Sequence, residues 1–263
     1  MRPSVKEYKE LIHAAYTLEK RKFNSKYLWW HYTGEKLAIF LAAILLRYGI
    51  SANTVTVISI IFGFIGAALI SFRPEEYFTL GIIFIIFWAI LDDSDGHIAR
   101  TEMTSRLGKF LDDSGANIMY ILLYVSVGLV FLRMEDNGLI IISQFLKDQF
   151  STSIFIVLCG FLSAILLTLQ SVISFHYKVV FDLEESERVI NNSRTNNRSK
   201  MKNYIKDYHG HFVANFLELP GFLIPIIFVS FHLSYLSIII VLLTLLNFLN
   251  CAVKYFLIIR KLR

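Results

Sequence analysis

Long uncharged apolar runs alternate with short polar segments along most of the chain, a pattern that predicts membrane-spanning helices. A spanning helix takes roughly 20 predominantly apolar residues. Six stretches approach that length: Val55–Phe72, Tyr77–Gly96, Ala116–Leu132, Ser151–Tyr177, Phe212–Leu233 and Ser234–Ile259. The third reaches full length only if it begins back near Gly108. The last two adjoin so closely that they predict a tight helical hairpin. Leu37–Leu46 is apolar too, but its ten residues between Lys36 and Arg47 are too few to cross. Trp29, Trp30 and Tyr32 precede it and Tyr48 follows, which favours a helix lying in the headgroup region over a tilted seventh span. The expected fold is an all-α integral membrane protein, with six transmembrane helices preceded by an interfacial amphipathic helix. Residues 1–53 form a cytoplasmic and interfacial N-terminal segment and 54–263 the membrane domain. Within that domain the polar, Asn/Arg-rich stretch 181–210 reads as a solvated cytoplasmic loop.

Composition supports this class. Of 263 residues, 55% are hydrophobic and 23 are Phe, and the mean hydropathy of +0.55 lies far above that of a soluble domain. Cys159 and Cys251 sit inside apolar runs and read as small core residues, not as a disulfide or metal ligands. No apolar leader core lies near Met1, so no cleavable signal peptide is expected. The basic residues fall unevenly: 23 of the 26 Lys and Arg lie in alternate segments that include both termini, and 3 lie in the others. Excess Lys and Arg marks the cytoplasmic side. Both termini and the segment around Asp92 are therefore expected to face the cytoplasm, in the cell's inner membrane. Membrane lipids are expected partners, a homodimer is allowed, and no nucleic acid is expected.

Three carboxylates, Asp92, Asp93 and Asp95, follow the fifteen uncharged residues Tyr77–Leu91. That run is about 22 Å long as a helix, against a hydrocarbon core of about 30 Å. The acids therefore fall at or just below the cytoplasmic interface. Charge at such a depth is costly unless paired or solvated in a cavity, so it points to function. Asp92 and Asp95 are three residues apart and share a helix face, whereas Asp93 is turned about 100° away. Asp112 opens the next, antiparallel span, so the three can converge. A cluster of carboxylate oxygens suits Mg²⁺ or Mn²⁺. Gly96 and Ala99 leave a wall without bulk on the same side, where a phosphorylated ligand can approach. Arg100 follows, suited to a phosphate or carboxylate.

Rival readings fit less well. As an EF-hand loop the run would place Leu91 at the first ligand position, where it cannot coordinate calcium. Asp93-Ser94-Asp95 matches a DxD metal motif, but three residues carry little weight. A transporter would hold its ion near the midplane at broken helices, not at one interface.

"DDSDGHIAR" followed by "GKFLD" resembles the signature of the CDP-alcohol phosphotransferase (CDP-alcohol phosphatidyltransferase) family. That signature runs Asp-x-x-Asp-Gly-x-x-Ala-Arg, about eight residues, Gly, three residues, Asp, three residues, Asp. Asp92, Asp95, Gly96, Ala99 and Arg100 match its first half. "SANTVT", with Asn53 and Thr56, resembles the family's Asn-x-x-Thr segment at the start of the first span. The second half departs: seven residues, not eight, separate Arg100 from Gly108. With one deletion Ser105, Gly108 and Asp112 fall on family positions, and the fourth acid lands on Ala116. Without it the register gives Lys109, Asp113 and Asn117. Neither supplies the fourth Asp, and the gapped register keeps the Gly.

The resemblance implies an enzyme of the EC 2.7.8 type. Such an enzyme moves a substituted phosphate from a CDP-linked donor such as CDP-diacylglycerol to an alcohol acceptor, releasing CMP, in phospholipid biosynthesis. It implies a two-metal Mg²⁺ or Mn²⁺ site on Asp92, Asp95 and Asp112, and donor contacts from Asn53, Thr56, Gly96, Ala99, Arg100, Ser105 and Gly108. The family base belongs at Ala116, with Asp113 as a substitute. Two alternatives stay open: a transferase taking CDP-choline or CDP-ethanolamine, and a degenerate member that binds metal and nucleotide with little turnover. Outside the signature, Glu218 is either a partner for a basic group near the site or an interfacial acid. His209 and His211 read as interfacial, and Lys178 is one of several candidates to meet an acceptor phosphate.

Overall fold

The computed structural model describes residues 3–16, 28–102, 106–134, 136–146, 149–191 and 223–262. For residues 28–29, 106, 109, 113, 145–146, 149–151, 174–191, 257 and 259–262 the description is confined to the backbone. Apart from short connections these residues are helical, and the chain is an all-α membrane protein. Among the described residues three helices precede the first span: α1 (Val5–Ala15), α2 (Leu28–Tyr32) and α3 (Gly34–Tyr48). The helices that follow are α4 (Ala52–Phe72), α5 (Pro74–Glu102), α6 (Arg106–Leu129), α7 (Asn137–Leu146), α8 (Gln149–Asn191), α9 (Ile224–His232) and α10 (Leu236–Leu262). Among the described residues five stretches are long and apolar enough to cross a membrane: Ala52–Phe72, Pro74–Glu102, Phe110–Leu132, Thr152–Ile173 and Leu236–Phe256. The third starts near Gly108, as its length demanded. Of the expected span Phe212–Leu233, the structure shows α9, and residues 212–222 lie outside the described residues.

Local chemistry sets most boundaries. Ser51 caps α4 by accepting the Thr54 N–H at 3.4 Å. Gly49 ends α3 at φ 76°, a left-handed conformation suited to glycine, and the Gly49 and Ile50 N–H groups close onto Leu46 and Leu45. Pro74 opens α5 directly after Arg73, making a sharp α4–α5 hairpin. At the far end Asp136 accepts from the Leu139 N–H, the Ser237 N–H and the Ser237 hydroxyl at 2.6, 2.9 and 2.6 Å, tying α7 to α10.

Close helix approach follows from glycine. A Cβ on Gly66 of α4 would lie 2.8 Å from the Gly81 carbonyl of α5. A Cβ on Gly160 of α8 would lie 2.7 Å from the Tyr124 carbonyl of α6. Small residues let backbones meet where lipid supplies no hydrophobic drive between helices. Polar side chains add ties between spans. Ser163 and Thr244 share a 2.9 Å hydrogen bond, Asn250 donates to Gln170 at 2.8 Å, and Ser171 donates to Asn117 at 2.9 Å. Phe64, Phe155 and Phe248 point outward as lipid-facing apolar surface.

Three features differ from the sequence reading. The helix α8 continues to Asn191, eleven residues into the stretch expected as a loop, because FDLEESERVIN is rich in helix-favouring Leu, Glu and Arg; residues 192–210 lie outside the described residues. A short apolar helix, α7, was not expected, being far below spanning length. The helix α1 was also missed, although its capping box was legible: Ser4 N–H donates to Glu7 Oε2 at 2.6 Å, and Glu7 N–H to Ser4 Oγ at 3.3 Å. Leu37–Leu46 lies within the 15-residue α3, too short to cross, with Ala38, Ala42, Ala43 and Leu46 buried.

Candidate active site

The first turns of α4, the last third of α5 and the first half of α6 carry the signature residues, and α4 packs against both of the others. Asp95 and Thr56 are both only 3% exposed. The groups that bear on the Asp95 carboxylate are the Thr56 hydroxyl, Asp112, Asp93 and Arg100. Thus the structure brings together Asp95, Thr56 and Asp112, which lie far apart in sequence. Asp92 is half-buried one turn away, and Asn53 sits at the start of α4. Thr56 Oγ1 also donates to the Ala52 carbonyl at 3.1 Å, which fixes its rotamer.

Asp95 Oδ2 is buried without a hydrogen-bond partner. A carboxylate oxygen in that state is costly and has the chemistry of a hard-cation ligand. Nevertheless, among the described residues no group of three or more His, Cys, Asp or Glu stands close enough to hold a metal ion. The donor set fits Mg²⁺ or Mn²⁺ in kind, but its side chains are not gathered into a finished cluster. Asp113 lies on α6 with its side chain outside the description, and Ser105, Lys178, His209, His211 and Glu218 have no described side chain. Ala116 is half-buried on α6, four residues after Asp112. Gly108 is half-buried at the start of that helix.

Arg100 folds back along its own helix. Its Nη1 lies 3.3 Å from where a Cβ on Gly96 would stand, and its Cζ is 5.6 Å from the centre of the Tyr16 ring. The bare wall expected at Gly96 is thus occupied by the guanidinium. Arg100 Nη2 is buried without a hydrogen-bond partner, which leaves a donor for an anion.

Sequence reasoning missed the N-terminal side of the site. Asp93, turned away from Asp92 and Asp95, meets the pre-span helices: Trp30 Nε1 donates to Asp93 Oδ2 at 3.1 Å. His97 is fully buried, with Nε2 3.9 Å from Asp93 Oδ1. The Ser94 hydroxyl donates to the Ala38 carbonyl at 3.1 Å, tying α5 to α3. The Tyr16 hydroxyl donates to Glu35, a buried acid on α3. Burial and then that hydrogen bond push the Tyr16 hydroxyl far above its ordinary pKa. The indole-rich stretch before Leu37 was the available signal, and it was read only as an interfacial anchor.

An all-α membrane protein with acidic residues of two helices and a threonine of a third meeting at one end defines an integral membrane protein with a candidate polar reaction site. The family model for CDP-alcohol phosphatidyltransferase matches residues 49–200, more than half of the chain. The chain belongs to that family, a group of transferases that take phosphate from a CDP-alcohol. A comparison with the curated proteins gives no match.

Proposed function

We propose that this chain transfers a phosphatidyl group from CDP-diacylglycerol to a small alcohol and releases CMP. The observation that carries the reading is the buried, unpartnered Asp95 oxygen beside Thr56 and Asp112, at the end of a spanning helix. In the balanced step, the acceptor oxygen bonds to the β-phosphorus of the donor as the bond from that phosphorus to the CMP oxygen breaks. CMP leaves with the electron pair, and the acceptor's proton passes to a base. Bound at Asp92, Asp95 and Asp112, Mg²⁺ or Mn²⁺ ions would neutralise pyrophosphate charge. Arg100, turned from Gly96, gives its free N–H to a donor phosphate. Thr56 and Asn53 line the α4 side, and Gly96, Ala99, Ser105 and Gly108 allow close approach. Asp113 takes the base role, since Ala116 cannot. The site faces the cytoplasm of the inner membrane, where a lipid donor keeps its tails in the bilayer while its headgroup meets a water-soluble acceptor.

A second reading rests on one residue. Ala116 at the position of the family base favours a chain that binds metal and nucleotide but turns over slowly. One experiment separates the readings. The purified chain in lipid nanodiscs receives Mn²⁺, either CDP-diacylglycerol or CDP-choline with diacylglycerol, and a panel of alcohols, and CMP release is followed. Release with CDP-diacylglycerol and one acceptor is expected. Release only with CDP-choline refutes the donor, and Mn²⁺-dependent CMP binding without release supports the degenerate reading.

A further inference from the structure

The contacts on the N-terminal side of the site close into a ring. His31 Nδ1 lies 2.6 Å from Glu35 Oε2, and Glu35 accepts the Tyr16 hydroxyl. The Tyr16 ring meets the His97 ring edge-on, with centroids 5.3 Å apart at 79°. His97 approaches Asp93, Asp93 accepts from Trp30, and Trp30 is the chain neighbour of His31. The ring joins α1, α2 and α3 to the acidic turn of α5. Trp30 is held firmly in it: it is 6% exposed, and its indole lies against Gly34, where no Cβ would fit.

The ring matters because of where Asp93 stands. It is the residue after Asp92 and its charge bears on Asp95. A further unrestrained carboxylate there would draw the same divalent ion as the signature acids. We propose that Trp30 is a positioning residue for the reaction. Its indole N–H, with His97 behind, holds the Asp93 carboxylate off the Asp92–Asp95–Asp112 face, so that Asp93 does not divert the ion. The role rests on the transferase reading, but its first readout does not require turnover.

The test is Mn²⁺ titration of the full chain in nanodiscs, followed by electron paramagnetic resonance, beside steady-state CMP release. Trp30→Phe keeps a ring over Gly34 and removes the donor. It is expected to tighten Mn²⁺ binding about fivefold by releasing the Asp93 carboxylate from the indole. It should also lower kcat about tenfold through misplacement, with donor KM within about twofold. Asp93→Asn, added to Trp30→Phe, should reverse both changes, since the amide carries no charge. A Trp30 that only packs would lower the thermal midpoint and show no such rescue, which overturns the proposal. Mn²⁺ titrations alike in all chains, including no binding in any, overturn it as well. Should Trp30→Phe fail to fold, Asp93→Ala decides. Mn²⁺ affinity within about twofold of wild type supports a carboxylate held aside, and a loss of about tenfold makes it a ligand and overturns the proposal. A wild-type chain that binds Mn²⁺ yet releases no CMP from any donor counts against the transferase reading alone.

Discussion

Replacing Gly66 by Ala tests whether the α4–α5 contact sets the site. The added Cβ would lie 2.8 Å from the Gly81 carbonyl and 3.0 Å from two atoms of Ile85. A backbone oxygen cannot swing aside, so one helix must move by roughly half an ångström to reach ordinary contact, an overpacking cost of about 1–3 kcal/mol. Ala also favours the helix over Gly by about 1 kcal/mol, which masks part of that cost. Gly63→Ala is the internal control. On the same helix, its Cβ would meet the end of the Met119 side chain, which is flexible and can turn away. The helix-propensity gain is common to both variants, so the difference between them isolates the backbone clash at about 1–3 kcal/mol. Thermal unfolding in detergent, followed by far-UV circular dichroism, should show Gly66→Ala with the lower midpoint. Thr56 lies ten residues before Gly66, about 15 Å along the helix. A displacement of α4 should therefore also shift Thr56 against Asp95 and slow CMP release about tenfold. Equal midpoints and equal rates for the two variants would refute the contact as the positioning device.

Asp95→Asn should abolish Mn²⁺-dependent CMP binding, measured by calorimetry, because it removes the charge of a buried, unpartnered oxygen at the site. If Asp113 is the base, Asp113→Ala should lower CMP release by about 10²–10⁴-fold, with Ala116→Asp silent. A rise of about a hundredfold with Ala116→Asp would instead identify position 116 as the missing base site. Tyr16 carries a raised pKa, so the folded state keeps a proton that the unfolded state gives up above about pH 10. The thermal midpoint should accordingly hold below that pH and fall as the medium becomes more alkaline, and Tyr16→Phe should flatten that fall.

Class, the positions of five spans and the first half of the signature were legible because each is a local property. A run such as Val55–Phe72 has to leave water wherever it is placed, and Asp-x-x-Asp-Gly-x-x-Ala-Arg is nine adjacent residues on one helix. The caps Ser51, Gly49 and Pro74 likewise act on their own neighbours. What sequence periodicity left open depends on contacts between distant segments. Helix geometry turned Asp93 away from Asp92 and Asp95, but nothing in the pattern said that Trp30, 63 residues earlier, would meet it. Arg100 stood next to a bare glycine wall on paper, and in the fold it occupies that wall, against a tyrosine from α1. The carboxylates of α5 and α6 do converge on one end, yet the described ones do not form a metal cluster, because convergence of two helices brings side chains near each other without fixing their rotamers. The short helices α1 and α7 escaped detection because hydrophobic length is a criterion for crossing a bilayer and not for packing on its edge. Residues 181–191 misled for the opposite reason. Their polarity says only that they leave the bilayer, while their continuation of α8 comes from helix propensity and from the turns already formed before them.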